Sequence, residues 1–184
     1  SVREVRSKLS RSKALRDAAK FEDAAKLAEE CVPAAKATGY KPVVAETLRA
    51  RALALQAMQQ IEADQLLEEA VTLAEASRAD ELAADLWIDL VLLHGSQSEN
   101  FPAAEAALKR AEPAVERVGG SADLRGRLDD AAGSLLRHEG RCVEALPRLR
   151  AAREYAEKRK SPDALLADSI LHVGLCERDL RSEE

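Results

Sequence analysis

The chain has 184 residues with only two Phe, two Tyr and one Trp, while 33% are charged and Ala and Leu dominate the rest. That mixture favours helix, and no run of alternating β-branched residues supports a sheet, so the fold class read from composition is all-α. A formal net charge of −5 and the lack of aromatic residues exclude backbone attraction and base stacking as a general means of holding nucleic acid.

Turn and cap residues place the elements in chain order. A basic helix is predicted from about Val2 to Ala18, within a segment (residues 1–20) that carries seven Lys/Arg against Glu4 and Asp17. A second helix runs from about Glu22 to Thr38 and is ended by Gly39-Tyr40-Lys41-Pro42, where Gly suits a left-handed cap and Pro stops continuation. Helices over about Val43–Met58 and Glu62–Ser77 follow, and Asp80 caps another that reaches about His94. Residues 60–100 carry ten Asp/Glu against Arg78 alone, an acidic stretch suited either to solvated helix faces or to steering a basic partner. Gly95 to Asn100 is the longest polar break, and Pro102 then sits in a first helical turn, where its missing N–H costs little. That helix reaches Val118 and is stopped by Gly119-Gly120-Ser121. Another covers about Ala122 to His138, turns at Gly140, and leads into one ending near Lys160. Ser161-Pro162-Asp163 is expected to cap the last helix, which reaches about Leu180.

One pattern returns four times: a residue in a bulky slot, Ala three places later, then apolar or small residues four and seven beyond. The copies are Phe21, Ala24, Ala28, Cys31; Gln60, Ala63, Leu67, Ala70; Phe101, Ala104, Leu108, Ala111; and Cys142, Ala145, Leu149, Ala152. A period near 40 residues at helical spacing predicts stacked hairpins, each too small to bury its apolar face alone. The expected organisation is one repeat domain over 1–184, with hairpins at about 2–38, 43–77, 80–118 and 122–160 and a last helix at 163–180. Pro33 and Pro113 occupy one repeat position and predict a shared bend. The last helix is apolar on more than one face, which predicts an exposed patch open to a further repeat or to a second copy.

Three cysteines (Cys31, Cys142, Cys176) without CxxC spacing argue against a disulfide framework and a zinc site, and point to a reducing, cytoplasmic compartment. No stretch approaches the roughly 20 apolar residues of a membrane span. Ser1 onwards has no signal-peptide pattern, and the missing initiator Met points to a piece of something longer. Catalytic motifs are also missing: there is no P-loop, GxGxxG, HExxH, GxSxG or kinase signature. Gly119-Gly120-Ser121 lacks the Lys and strand of a phosphate loop. His94, His138 and His172 read as surface or boundary residues rather than ligands or bases, with no second ligand at i, i+4. Asp129 and Asp130 point to different faces of one helix. The chain is therefore read as no enzyme, with no cofactor and no metal.

Trp87-Ile88-Asp89-Leu90-Val91, Ala132-Gly133 and Val173-Gly174, together with the recurrent small residues, resemble the tetratricopeptide repeat over nearly the whole chain. The period of 39–41 looks like the longer kinesin-light-chain variety, and Arg51 stands where the repeat has Gly. The stretch from Ala19 to Leu55 and the turn from Gly140 to Leu146 look like repeat arrays C-terminal to the kinase domain of large bacterial Ser/Thr kinases.

The resemblance implies a right-handed α–α superhelix of four hairpins plus a final helix, with a protein- or peptide-binding groove lined by the first helix of each hairpin. Carried across residue by residue, the groove positions are Arg6, Lys13 and Arg16; Leu48, Ala52 and Leu55; Asp85, Ile88 and Leu92; Arg127, Asp130, Ser134, Arg137 and His138; and Asp168, Leu171 and Arg178. The Lys/Asn/Arg carboxylate clamp of the chaperone-binding subtype has no Asn to match it here. The expected role is an interaction scaffold within a larger signalling protein, such as a bacterial Ser/Thr kinase whose catalytic domain lies outside this chain. The alternatives are a self-associating adaptor that dimerises through the last helix, or a spacer whose groove binds nothing.

Overall fold

Most turns in the chain close in the same way. Helix α1 (Val2–Asp17) is followed by α2 (Phe21–Ala37), α3 (Lys41–Ala57), α4 (Glu62–Ala76) and α5 (Asp80–Leu92). A π-helical turn (Leu93–Gln97) extends α5, and α6 (Phe101–Arg117), α7 (Ala122–His138), α8 (Cys142–Lys158) and α9 (Ala164–Ser182) follow. After α1, α3, α4 and α7 one residue takes a positive φ (Ala19, Gln59, Arg78 and Gly140), and after α6 two do, Gly119 and Gly120. The next residue then donates its N–H five residues back, as in Lys20 to Leu15, Gln60 to Leu55, Ala79 to Ala74, Gly120 to Val115 and Arg141 to Leu136. This bond satisfies a carbonyl that the helix end would otherwise leave open. Gly does this without penalty at two of the five sites; elsewhere Ala, Gln and Arg are held in the left-handed region.

The computed structural model describes residues 1–97, 99–159 and 164–182, so the expected Ser161-Pro162-Asp163 cap lies outside the described residues. Among the described residues the structure is all-α, and no helix is long and apolar enough to cross a membrane. Helix boundaries follow the sequence expectation closely. The exception is α5, which does not stop at His94 but continues as the π-helical turn. Gly95 there comes so close to α7 that an added Cβ would lie 3.2 Å from Leu135 Cδ1. His94 is buried rather than a surface residue, and its carbonyl accepts the Asn100 N–H. Pro33 and Pro113 lie inside α2 and α6 at exposed positions.

The chain divides into two compact units, Ser1–Leu86 and Trp87–Glu184. In the first, α1 packs on α2, α2 on α3 and α3 on α4, and α1 also touches α3. In the second, the π-helical turn packs on α6 and α7, α7 on α8 and α8 on α9, while α7 also touches α9. The repeat alanines Ala24, Ala63, Ala104 and Ala145 are all fully buried, as are Ala28, Leu67 and Leu149 four residues on. The alanines sit where a larger side chain would hold two helices apart. In the first unit the buried Ser12 hydroxyl of α1 donates to the Ala24 carbonyl of α2 at 2.8 Å, so this polar group is satisfied inside the hairpin.

The helix pair α7/α8 shows the close approach most clearly. A Cβ on Gly133 would fall 2.6 Å from Leu149 Cγ and 3.2 Å from the Leu149 backbone nitrogen. At the other end of the same contact a Cβ on Gly126 would run into the Tyr155 ring. Beyond it, Cys142, Ala145 and Leu149 of α8 form one cluster with Val173 and Cys176 of α9.

That cluster contains a correction to the cysteine reading. Cys142 and Cys176 are joined by a disulfide, with Cα atoms 5.1 Å apart, and Cys31 alone is a free, buried thiol. The odd cysteine count concealed the pair because its members lie 34 residues apart on successive helices. Only the packing of α8 against α9 brings them together. Burial pushes the Cys31 thiol above its ordinary pKa, so it serves as a small apolar side chain.

Ala19 offers a direct test of the turn geometry. Its φ of 58° is a conformation in which an L side chain costs about 1–2 kcal/mol and Gly costs little. Ala19→Gly is expected to raise stability by about 1 kcal/mol, read as a melting temperature higher by about 2–4 °C. An unchanged or lower melting temperature would contradict the cap geometry.

Candidate functional site

Within each unit, polar side chains on alternate helices reach for one another. In the first unit the Arg6 guanidinium of α1 grips Glu46 of α3 with two hydrogen bonds of 2.9 and 2.7 Å. Arg49 of α3 reaches Asp85 of α5 at 3.0 Å. In the second unit Arg127 of α7 donates to Asp89 at 2.8 Å, and Asp89 is almost wholly buried. Glu46, Arg49 and Asp89 are not among the groove positions implied by the resemblance. Each is the partner of one that is.

The last rung is different. Asp130 of α7 faces His172 of α9, but Oδ1 and Nδ1 stand 3.7 Å apart, beyond a hydrogen bond. Both atoms are enclosed and have no hydrogen-bond partner. Asp168, one turn before His172, turns its carboxyl toward the same place. Burial and the Asp130 charge hold the Asp168 carboxyl above its ordinary value, and His172 partly offsets them.

Seven residues further along α7, Arg137 donates to His138 Nε2 at 2.6 Å, while its own Nε is enclosed and unpartnered. Burial holds the Arg137 guanidinium below its ordinary value against the pull of Asp179. Burial, Arg137 and His172 hold the His138 imidazole low, with Glu99 opposing. A neutral His138 accepting from Arg137 agrees with this. Asp130 faces His172, and Arg137 seven residues on feels Asp179, seven beyond His172. The two helices therefore run in the same direction, with an acidic end and a basic end between them.

The remaining groove positions scatter. Arg6 and Lys13 are exposed and paired, the latter with Asp17 at 2.6 Å, and Arg16 lies 3.6 Å from Asp17. Leu48, Ala52, Leu55, Ile88 and Ser134 are buried, and Leu92 is half-buried. Leu171 is 56% exposed, and Arg178 is exposed and paired with Asp179 at 2.9 Å. Of the positions carried across, the structure brings together Asp130, Asp168, Arg137 and His138. His172 belongs with them, and its signal was in the chain: it follows Asp168 by four residues, the spacing that puts two side chains on one helix face.

A shallow cleft of about 230 Å³ lies on α8 and α9, lined by Arg150, Arg153, Glu154, Glu157, Val173 and Glu177. Its charges answer one another: Arg150 meets Glu177 at 3.0 Å and Arg153 meets Glu157 at 2.8 Å. Glu154 is likewise paired with Lys158 at 2.7 Å.

No protein-family model matches the chain, and a comparison with curated proteins finds no match.

The raised Asp168 pKa carries a sign that can be measured. The folded protein holds that proton more tightly than the unfolded chain, so the group's contribution is fully present below the ordinary carboxylate value of 3.8. It is lost as pH rises through the raised value, and ionised Asp168 then opposes folding. Asp168→Asn is expected to raise the melting temperature slightly at pH 7, by about 1–2 °C, and to have no effect near pH 3. A loss of stability at pH 7 would contradict the crowding of the two carboxylates.

Proposed function

We propose that the chain is a tetratricopeptide-like array, a right-handed α–α superhelix whose first helices hold a partner protein or peptide. The recurrent, fully buried alanines at a 39–41-residue period support the array. The observation that carries the binding role is the polar contact of α7 with α9, where Asp130 faces His172. There the nearly buried Asp130 carboxylate keeps Oδ1 without a hydrogen bond, 3.7 Å from His172 Nδ1. Such groups are rare in folded proteins unless something else completes them.

On this reading the protein is a non-catalytic, cofactor-free interaction module within a larger signalling protein, such as a bacterial Ser/Thr kinase. A cytoplasmic setting would keep Cys142 and Cys176 as two packed thiols, and an oxidising one would bridge them. A second reading, self-association through α9, is favoured by Ile170 and Leu171, which are 46% and 56% exposed on that helix.

The test is selection of binders from a random dodecapeptide library on the intact 184-residue chain, with amide NMR shifts mapping where they sit. Binders that perturb α1, α3, α5, α7 or α9 are expected. If no peptide binds, or if shifts fall only on α2, α4, α6 and α8, the groove reading is wrong.

A further inference from the structure

The last helix turns two faces to different surroundings. Val173 and Cys176 of α9 are buried in the cluster with α8, whereas Ala167, Leu171, Gly174 and Arg178 on its other side are exposed. Those four residues stand four, three and four positions apart, so they share one stripe along the helix. The spacing is the same from either end. An identical stripe running in the opposite direction therefore sets Leu171 against Gly174 and Ala167 against Arg178.

The residue types match as the positions do. Leu171 projects, at 56% exposed, while Gly174 is a hollow with nothing within 4 Å of where its Cβ would lie. The chain already makes this contact within itself. Gly133 of α7, 41 residues before Gly174, is filled by Leu149 of α8, and Gly126, 41 before Ala167, is met by Tyr155 of α8. The outward stripe of α9 thus repeats the positions at which α7 receives a helix.

Charge selects which helix fits. Arg178 is exposed and leans on its own neighbour Asp179, a surface pair that costs little to exchange. Across an antiparallel contact its long side chain passes over the small Ala167 and reaches Asp168 beside it, the stem covering apolar surface on the way. Asp168 and Arg178 lie toward opposite ends of α9, so antiparallel copies join acid to base twice about a two-fold axis. Parallel copies would set like charge against like.

We infer that the outer face of α9 pairs with α9 of a second copy of this chain, antiparallel, with Leu171 of each seated on Gly174 of the other and Arg178 of each beside Asp168 of the other. The inference rests on the self-association reading above and adds its geometry.

Sedimentation velocity of the intact 184-residue chain over a wide concentration range reads the association, and a monomer–dimer equilibrium is expected. Leu171→Gln and Gly174→Leu should each weaken it by about tenfold or more, because each change acts twice across the axis. Both positions are exposed, and circular dichroism melts check that the variants stay folded. Asp168→Arg should weaken the dimer by about tenfold, and adding Arg178→Asp to it should restore the affinity to within about threefold.

A dimer weakened by Leu171→Gln and Gly174→Leu but not rescued by the charge exchange would overturn the antiparallel pairing and leave self-association through α9 standing. A dimer that neither substitution weakens would overturn both. So would a chain that is monomeric at every concentration, which would leave the stripe to a helix of another protein.

Discussion

The close contact of neighbouring helices at small residues is the constraint on which the rest of the structure depends. Where α7 meets α8, Gly133 admits Leu149 to a distance that a single methyl group would close, and Gly126 does the same for Tyr155. With so few aromatic side chains, the chain cannot fill wide gaps between helices. It gains its dispersion contacts by bringing backbones together instead. Ala24, Ala63, Ala104 and Ala145 apply the same solution at each repeat, and all four are fully buried.

This packing also positions the polar groups. Because α7 and α9 both lie against α8, their remaining faces come within reach of each other, and Asp130, Asp168 and His172 meet there. The same arrangement sets Cys142 beside Cys176. One is a polar contact and the other a covalent link, yet both follow from the seating of α9 on α8. In the first unit the contact of α1 with α3 has a different outcome, because Arg6 and Glu46 satisfy each other completely.

Much of the fold was legible in the sequence because it depends on local chemistry. Gly39, Gly119 and Gly140 announce left-handed turns, and Ala at a 39–41-residue period announces helix contacts. Ala19, Gln59 and Arg78 adopt the same turn with no such announcement, since the geometry is imposed by the helices on either side. The π-helical turn was hidden for a related reason: the polar run after His94 reads as loop, but in the fold it packs closely on α6 and α7.

At the candidate site, the groove positions lying on one stripe of α7 could be read from helical spacing. Burial of Leu48, Ala52, Leu55 and Ile88 could not, because it depends on which neighbours cover them.

Two glycines at one repeat position provide the sharpest test of the packing constraint. Gly133 is pressed against Leu149, whereas Gly174, 41 residues on, has nothing within 4 Å of where its Cβ would lie. Thermal or urea unfolding of Gly133→Ala and Gly174→Ala measures the difference directly. If close helix contact governs the fold, Gly133→Ala loses about 1–3 kcal/mol through overpacking. Gly174→Ala gains about 0.5–1 kcal/mol from helix propensity alone. Equal gains from both substitutions would mean that α7 and α8 do not meet at Gly133, and the packing described here would be wrong.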